Sequence, residues 1–281
     1  MDGTTPNFLH LGPGKSGSTW LHEVLLLHPQ VFLTQAKDLY YFSRYYDRGF
    51  DWYRKQFRAA QPDHLVVGEV CPDYLACPEA PARIKECLGS QVTLMATLRE
   101  PVSRAFSSFL YLRKHGLAPD TFLEAVRSIP QLIDEGRYAT QLSRYADHLS
   151  PGAVRVSLFD DLQQDPQAFF NGITDGLRLD RMTLDAHLLE AKLPASKARL
   201  LPVAMAVQRT AGWVRAHDGT ELVGRIKRSP LVQTVLYKPL RTNQSELPRD
   251  AVDFIRERLA GEVEALERDH GLSVIDRWSW Q

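Results

Sequence analysis

The stretch Gly12-Pro13-Gly14-Lys15-Ser16-Gly17-Ser18-Thr19 separates a strand-like apolar run, Asn7 to Leu11, from a helix-like one, Trp20 to His28. Glycines between a strand and a helix leave backbone N–H groups open, and the helix N-terminus adds positive potential, so such a loop is a cradle for phosphate. The spacing from Gly12 to Gly17 and on to Thr19 fits a nucleotide-triphosphate loop except at one place. The position that needs lysine holds Ser18, and the lysine stands earlier, at Lys15. The loop is therefore expected to take a phosphate that is not a γ-phosphate.

A loop of this kind needs a sheet behind it. Apolar runs bounded by turn signals recur at Phe8 to Leu11, Leu65 to Val67, Val92 to Leu98 and Val154 to Phe159, alternating with helical periodicity. The alternation predicts an α/β, three-layer, P-loop-like fold with a central, mostly parallel sheet flanked by helices. Helices are expected after the glycine loop, from Pro101 to Leu112, from Thr121 to Val126, from Ile133 to Leu149, after Pro166, and from Pro248 to Asp269. In the last of these Val252, Ile255, Leu259, Val263 and Leu266 step by three or four and form one apolar stripe. With 281 residues, 44% of them hydrophobic, the chain suits a single domain: a core over about 7–180, a basic segment over about 190–245 and the closing helix over 248–269. Between 197 and 241 nine Lys or Arg face two acidic residues. That composition has two readings, a cover for an anionic ligand or a solvated surface.

Acidic and basic residues balance at 34 each, so no global field steers the chain to nucleic acid or an anionic membrane. The three cysteines, Cys71, Cys77 and Cys87, lack CxxC spacing and read as reduced thiols of a cytoplasmic protein. The first six residues are neither basic nor apolar, and no apolar run is long enough to span a bilayer. The nine histidines form no HxxxH or HExxH cluster, so no metal site is expected.

A second anion element follows the run Val92 to Leu98, which ends in Arg99-Glu100-Pro101 with Arg104 and Ser107 beyond. An arginine at the carboxyl end of a parallel strand lies on the side where α/β sheets bind ligands, and Ser107 is about two helical turns further on. Either Arg99 and Ser107 hold a second phosphate, or Arg99 pairs with a carboxylate and Ser107 is an ordinary helix residue. The first option implies a ligand phosphorylated at two separate places.

With these elements in order, the chain resembles the sulfotransferase superfamily that uses 3′-phosphoadenosine 5′-phosphosulfate (PAPS). It is more similar to heparan-sulfate-type and bacterial members than to the cytosolic phenol and steroid enzymes. The resemblance rests on the loop with Trp20-Leu21, the element Leu98 to Ser107, His28-Pro29, Lys37-Asp38-Leu39-Tyr40-Tyr41-Phe42, and Gly68-Glu69-Val70-Cys71-Pro72-Asp73-Tyr74-Leu75. It covers roughly residues 7 to 180, with a looser echo in the last helix and Trp278.

The resemblance implies an enzyme that moves a sulfuryl group in line from PAPS to a hydroxyl of a glycan, lipid or natural product. It releases 3′-phosphoadenosine 5′-phosphate (PAP) and requires no metal. Lys15 then binds the phosphosulfate and steadies the leaving phosphate, Gly17, Ser18 and Thr19 grip the 5′-phosphate, and Ser16 and Trp20 complete the cofactor-binding set. Arg99 and Ser107 hold the 3′-phosphate, and Lys197 and Arg199 match the basic loop that covers it. Asp38 stands where the family has its catalytic glutamate. It is one methylene shorter, so either the acceptor lies closer or Asp38 is not the base and Glu69 is the next candidate. Tyr40 replaces a histidine and Val70 a lysine, departures from the family's acceptor contacts; Tyr40 and Glu69 are the acceptor contacts expected in this chain. The aromatic residues from Tyr40 to Tyr53 either wall the acceptor pocket or pack beneath a loop. The rival is a P-loop kinase using magnesium and ATP, favoured by the acidic strand end at Asp160-Asp161.

Overall fold

In the computed structural model, which describes residues 4–189, 196–198, 237–239 and 247–280, five short apolar runs form one sheet. They are β1 (Phe8–His10), β2 (Val31–Leu33), β3 (Val66–Val70), β4 (Thr93–Leu98) and β5 (Val154–Leu158). Their order is β2-β3-β1-β4-β5, and every pairing is parallel. Parallel neighbours need long crossovers. These are supplied by α1 (Ser18–Leu25), α2 (Tyr41–Arg44), α3 (Phe50–Lys55), α4 (Ala80–Leu88), α5 (Pro101–Lys114), α6 (Phe122–Ser128), α7 (Gln131–Asp134) and α8 (Tyr138–His148). After β5 come α9 (Phe159–Gln164), α10 (Pro166–Leu177), α11 (Ala186–Leu189), α12 (Arg249–His270) and α13 (Ile275–Trp278).

The described chain groups into two compact units. The first, residues 1–99, 137–191 and 262–274, contains the whole parallel sheet. One face of that sheet buries Phe8, Val31, Val66, Val70 and Met95 against Trp20, Leu21 and Val24 of α1 and Phe169, Phe170 and Ile173 of α10. Side chains alternate along a strand, so Leu9, Val67, Leu94, Ala96 and Leu98 are buried on the opposite face. Burial on both faces explains why these strands read as continuous apolar runs.

The second unit, residues 100–136, 192–261 and 275–281, has its own core of Val102, Ala105, Phe109, Phe122, Val126, Ile255 and Leu259. At its start Glu100 caps α5, accepting from the amides of Val102 at 2.9 Å and Ser103 at 2.6 Å and from the Trp280 indole at 3.0 Å. Arg104, fully buried, donates to Glu135 at 2.8 Å.

The structure departs from the sequence expectation in several places, α2, α3 and α4 among them, where no helix was expected. The three-residue β2 is too short for a periodic signal, and it was not expected. The single helix expected over Ile133 to Leu149 is two, α7 and α8, interrupted at Gly136. Within the basic stretch β6 (Ser196–Ala198) pairs antiparallel with β7 (Tyr237–Pro239). The rest of that stretch up to residue 246 lies outside the described residues.

Candidate active site

From β1 the chain crosses to the β2 side of the sheet, and from β4 it crosses to β5, so the carboxyl ends of β1 and β4 flank a topological switch point. The glycine loop leaves β1 there. Gly12 has φ 109, and a Cβ on it would lie 2.3 Å from the Pro72 carbonyl oxygen, so only glycine fits. Gly17, φ 83, precedes α1, and its Cβ would meet Leu162 at 2.6 Å. Between them Lys15 takes φ 72, a left-handed conformation that is costly for a side-chain-bearing residue. Arg99, at the end of β4, holds it: Nη1 donates to the Lys15 carbonyl at 2.9 Å, and the guanidinium lies over the Phe159 ring at 4.7 Å. Arg99 therefore joins the two strand ends through a loop carbonyl.

The loop fits an anion on a feature of its own. Ser16 is buried, and its hydroxyl oxygen has no partner among the described residues. Such a group calls for a ligand, and it sits in a loop whose following helix carries no acidic residue in its first turn. Ser18 is buried and Thr19 exposed at that helix start. Trp20 corrects the expectation made for it: its indole is buried against Phe169 and donates to the Leu188 carbonyl at 2.8 Å, so the side chain belongs to the core.

Behind the loop, His10 Nε2 lies 3.0 Å from the Thr97 hydroxyl, which lies 3.0 Å from that of Ser157. Burial, aided by the Lys37 charge, pushes the His10 pKa down to about 3, so the ring is neutral at ordinary pH.

The turn after β2 carries Asp38. Asp38 and Tyr40 both take positive φ, 68 and 58. The Asp38 carboxylate, part-buried, has Lys37 Nζ at 2.6 Å on one oxygen and the Tyr40 hydroxyl at 3.5 Å from the other. The Asp38 amide donates to the Val70 carbonyl at 3.2 Å, which sets this turn at the carboxyl end of β3, next to β1.

Glu69 also differs from expectation. It is fully buried, Oε1 accepts from the hydroxyls of Tyr53 and Tyr74 at 2.8 Å each, and Oε2 accepts from the Leu39 amide at 3.1 Å. Burial pushes its pKa up to about 7, against the pull of those three hydrogen bonds, and the Asp38 charge adds to the rise. Each oxygen of Glu69 thus accepts from a donor within the protein.

The aromatic stretch divides. Tyr41, Phe42 and Tyr53 are buried, with Tyr41 stacked on Tyr53 at 4.6 Å, whereas Tyr40, Tyr45 and Trp52 stay half-exposed. Arg44 lies over the Tyr40 ring at 4.3 Å and pairs with Asp73, neither residue having been singled out from sequence. Ser107 is on α5, in the second unit. Lys197 lies on β6 in register with Lys238, and Arg199 falls outside the described residues. Asp160 and Asp161 occupy the first turn of α9, where the helix dipole favours carboxylates, which accounts for the acidic strand end without a metal. A cavity of about 620 Å³, lined by Met95, Arg155, Ser157, Asp161 and residues of α10, is lined by none of Lys15, Ser16, Asp38 and Arg99.

No family model matches the chain. Human heparan sulfate glucosamine 3-O-sulfotransferase 3B1 is 33% identical to it over 193 residues, covering 65% of this chain and 48% of that protein. Membrane-associated sulfotransferase kil1 of Dictyostelium discoideum is 35% identical over 106 residues, 37% of this chain and 22% of that protein. The chain thus spans less than half the length of these two curated relatives. A crystal structure of a sulfotransferase from Alicyclobacillus acidocaldarius shares the fold, with a TM-score of 0.58 at 22% identity over 82% of this chain and 98% of that one.

These relatives correct the expectation of a cytoplasmic location, since one is named membrane-associated and another acts on heparan sulfate. The expectation rested on free cysteines, and Cys71, Cys77 and Cys87 are unpaired. Thiol number, however, does not report a compartment. No described helix is long and apolar enough to cross a membrane.

Proposed function

We propose that the chain is a member of the sulfotransferase superfamily, nearer its heparan-sulfate-type members, and that it transfers a sulfuryl group from PAPS to an acceptor hydroxyl. The observation that carries this reading is one end of the sheet: the glycine loop with Lys15 and Arg99, and the turn bearing Asp38, all lie at the carboxyl ends of adjacent strands.

When bound, PAPS supplies the sulfuryl group and a bisphosphate leaving group. The amides opening α1 and the Ser16 hydroxyl bind its 5′ end, satisfying a buried group that otherwise lacks a partner. Lys15 places a positive charge where the leaving oxygen becomes negative, a task otherwise given to a metal. Arg99 fixes the Lys15 backbone through its carbonyl and offers its charge to the 3′-phosphate. Asp38 takes the proton from the acceptor hydroxyl, with Lys37 balancing its charge at 2.6 Å. The names of the relatives support a glycan hydroxyl as acceptor.

Calorimetric titration with PAP tests the reading. The wild type should bind saturably without added metal, and Arg99→Ala should weaken binding about tenfold or more, as expected for a lost charged contact. No saturable binding, or unchanged affinity in Arg99→Ala, would sink the cofactor assignment. Magnesium-dependent ATP binding would favour the kinase instead.

A further inference from the structure

Asp38 and Tyr40 hold left-handed backbone on either side of Leu39, and neither is glycine. Residues so placed persist only where their surroundings over-determine them. The Leu39 side chain is buried, and its amide donates to Glu69 Oε2 at 3.1 Å. Glu69 is itself fixed from the other side. Its Oε1 accepts from Tyr53, on α3, and from Tyr74, beyond the end of β3, at 2.8 Å each, and Tyr53 is stacked on Tyr41 in the segment that continues the turn. The ionisable groups around the carboxylate are those two tyrosines, Asp38 and the buried Cys71. A buried acid costs stability unless it is fully hydrogen-bonded. All of its described bonds go either to the amide between the two strained residues or to the tyrosines that brace it.

We propose that Glu69 is a positioning residue: through the Leu39 amide it sets the strained turn that presents the Asp38 carboxylate, and it makes no contact with substrate. This rests on Asp38 being the base. Misplacing a reacting group by about 1 Å costs on the order of 100-fold in rate. The expected signature is therefore a loss in turnover with the donor site intact.

The test compares Glu69→Gln with wild type and Asp38→Ala. Four quantities are read: PAP formation from PAPS with heparan sulfate and water as the acceptors offered, PAP affinity by calorimetry, melting temperature, and hydrogen exchange at the Leu39 amide. Glutamine cannot accept from two tyrosines and from the amide at once. Glu69→Gln should therefore speed Leu39 exchange at least tenfold and lower kcat about 10- to 100-fold, with PAP affinity within twofold. Unchanged exchange and kcat in a folded Glu69→Gln overturn the proposal, as does a kcat loss matched by an equal loss of PAP affinity, which marks general damage. Should that variant not fold, Tyr74→Phe, which removes one of the two donors at Oε1, should show the same pattern at about threefold; no change there overturns it equally. Normal turnover in Asp38→Ala would remove the base assignment instead, and faster Leu39 exchange in Glu69→Gln would still report the grip on the turn.

Discussion

The glycine loop and the Asp38 turn solve the same problem by different means. Each presents a functional side chain on left-handed backbone, Lys15 at φ 72 in one and Asp38 at φ 68 in the other. In the loop, glycines on both sides make the path possible and Arg99 braces a carbonyl. The turn contains no glycine, and its conformation depends on a buried carboxylate and two tyrosines contributed from elsewhere in the chain. Backbone permissiveness is written locally, whereas side-chain bracing is not. Substitutions in the loop should therefore damage fold and donor binding together, and those at the turn should damage turnover first.

The largest effect that sharpens this contrast is expected of Asp38→Ala. Turnover should fall about 10²- to 10⁴-fold, the range for a lost proton-transfer group, while PAP affinity stays near wild type. Steady-state kinetics beside calorimetry check it; normal turnover would take the base out of the turn.

In the loop the corresponding break is Gly12→Ala. Its Cβ would sit 2.3 Å from the Pro72 carbonyl on a φ of 109, so backbone must move. A loss of about 4 kcal/mol by urea denaturation, with PAP binding lost alongside, is expected. A stable variant that binds normally would mean the loop is not held as described.

A smaller, pH-dependent effect belongs to Glu69. Its folded pKa of about 7 lies above the ordinary 4.5, so the folded state binds the proton more tightly. The stabilisation this brings is fully present below about pH 4.5 and is lost as pH rises through 7. Glu69→Gln has no such titration. Relative to wild type it should gain about 3 kcal/mol between pH 4 and 8 in urea midpoints taken across that range. A difference that does not move with pH would mean the carboxyl is not buried as an ionising group.

The same contrast governs what could be read from the chain in advance. The loop, Arg99 at its strand end and the α12 stripe, where Ile255, Leu259, Val263 and Leu266 are buried, all follow from patterns within a few residues. Four of the five strands follow from apolar runs, while β2 has only three residues to show. The hold on Asp38 was hidden because Leu39, Tyr53 and Tyr74 meet Glu69 across 30, 16 and 5 residues with no shared spacing. For the same reason Glu69 could be noticed but not its tyrosine partners, and Trp20 was placed at the cofactor when its indole serves the core.

The central claim is sulfuryl transfer, and the most direct measurement follows the group itself: PAPS labelled with ³⁵S, incubated with the protein and heparan sulfate without metal. Label appearing in the glycan with an equal amount of PAP, and neither in Asp38→Ala, is the result expected here. Tight PAP binding with no label transferred, or phosphate transferred from magnesium-ATP in its place, would contradict it.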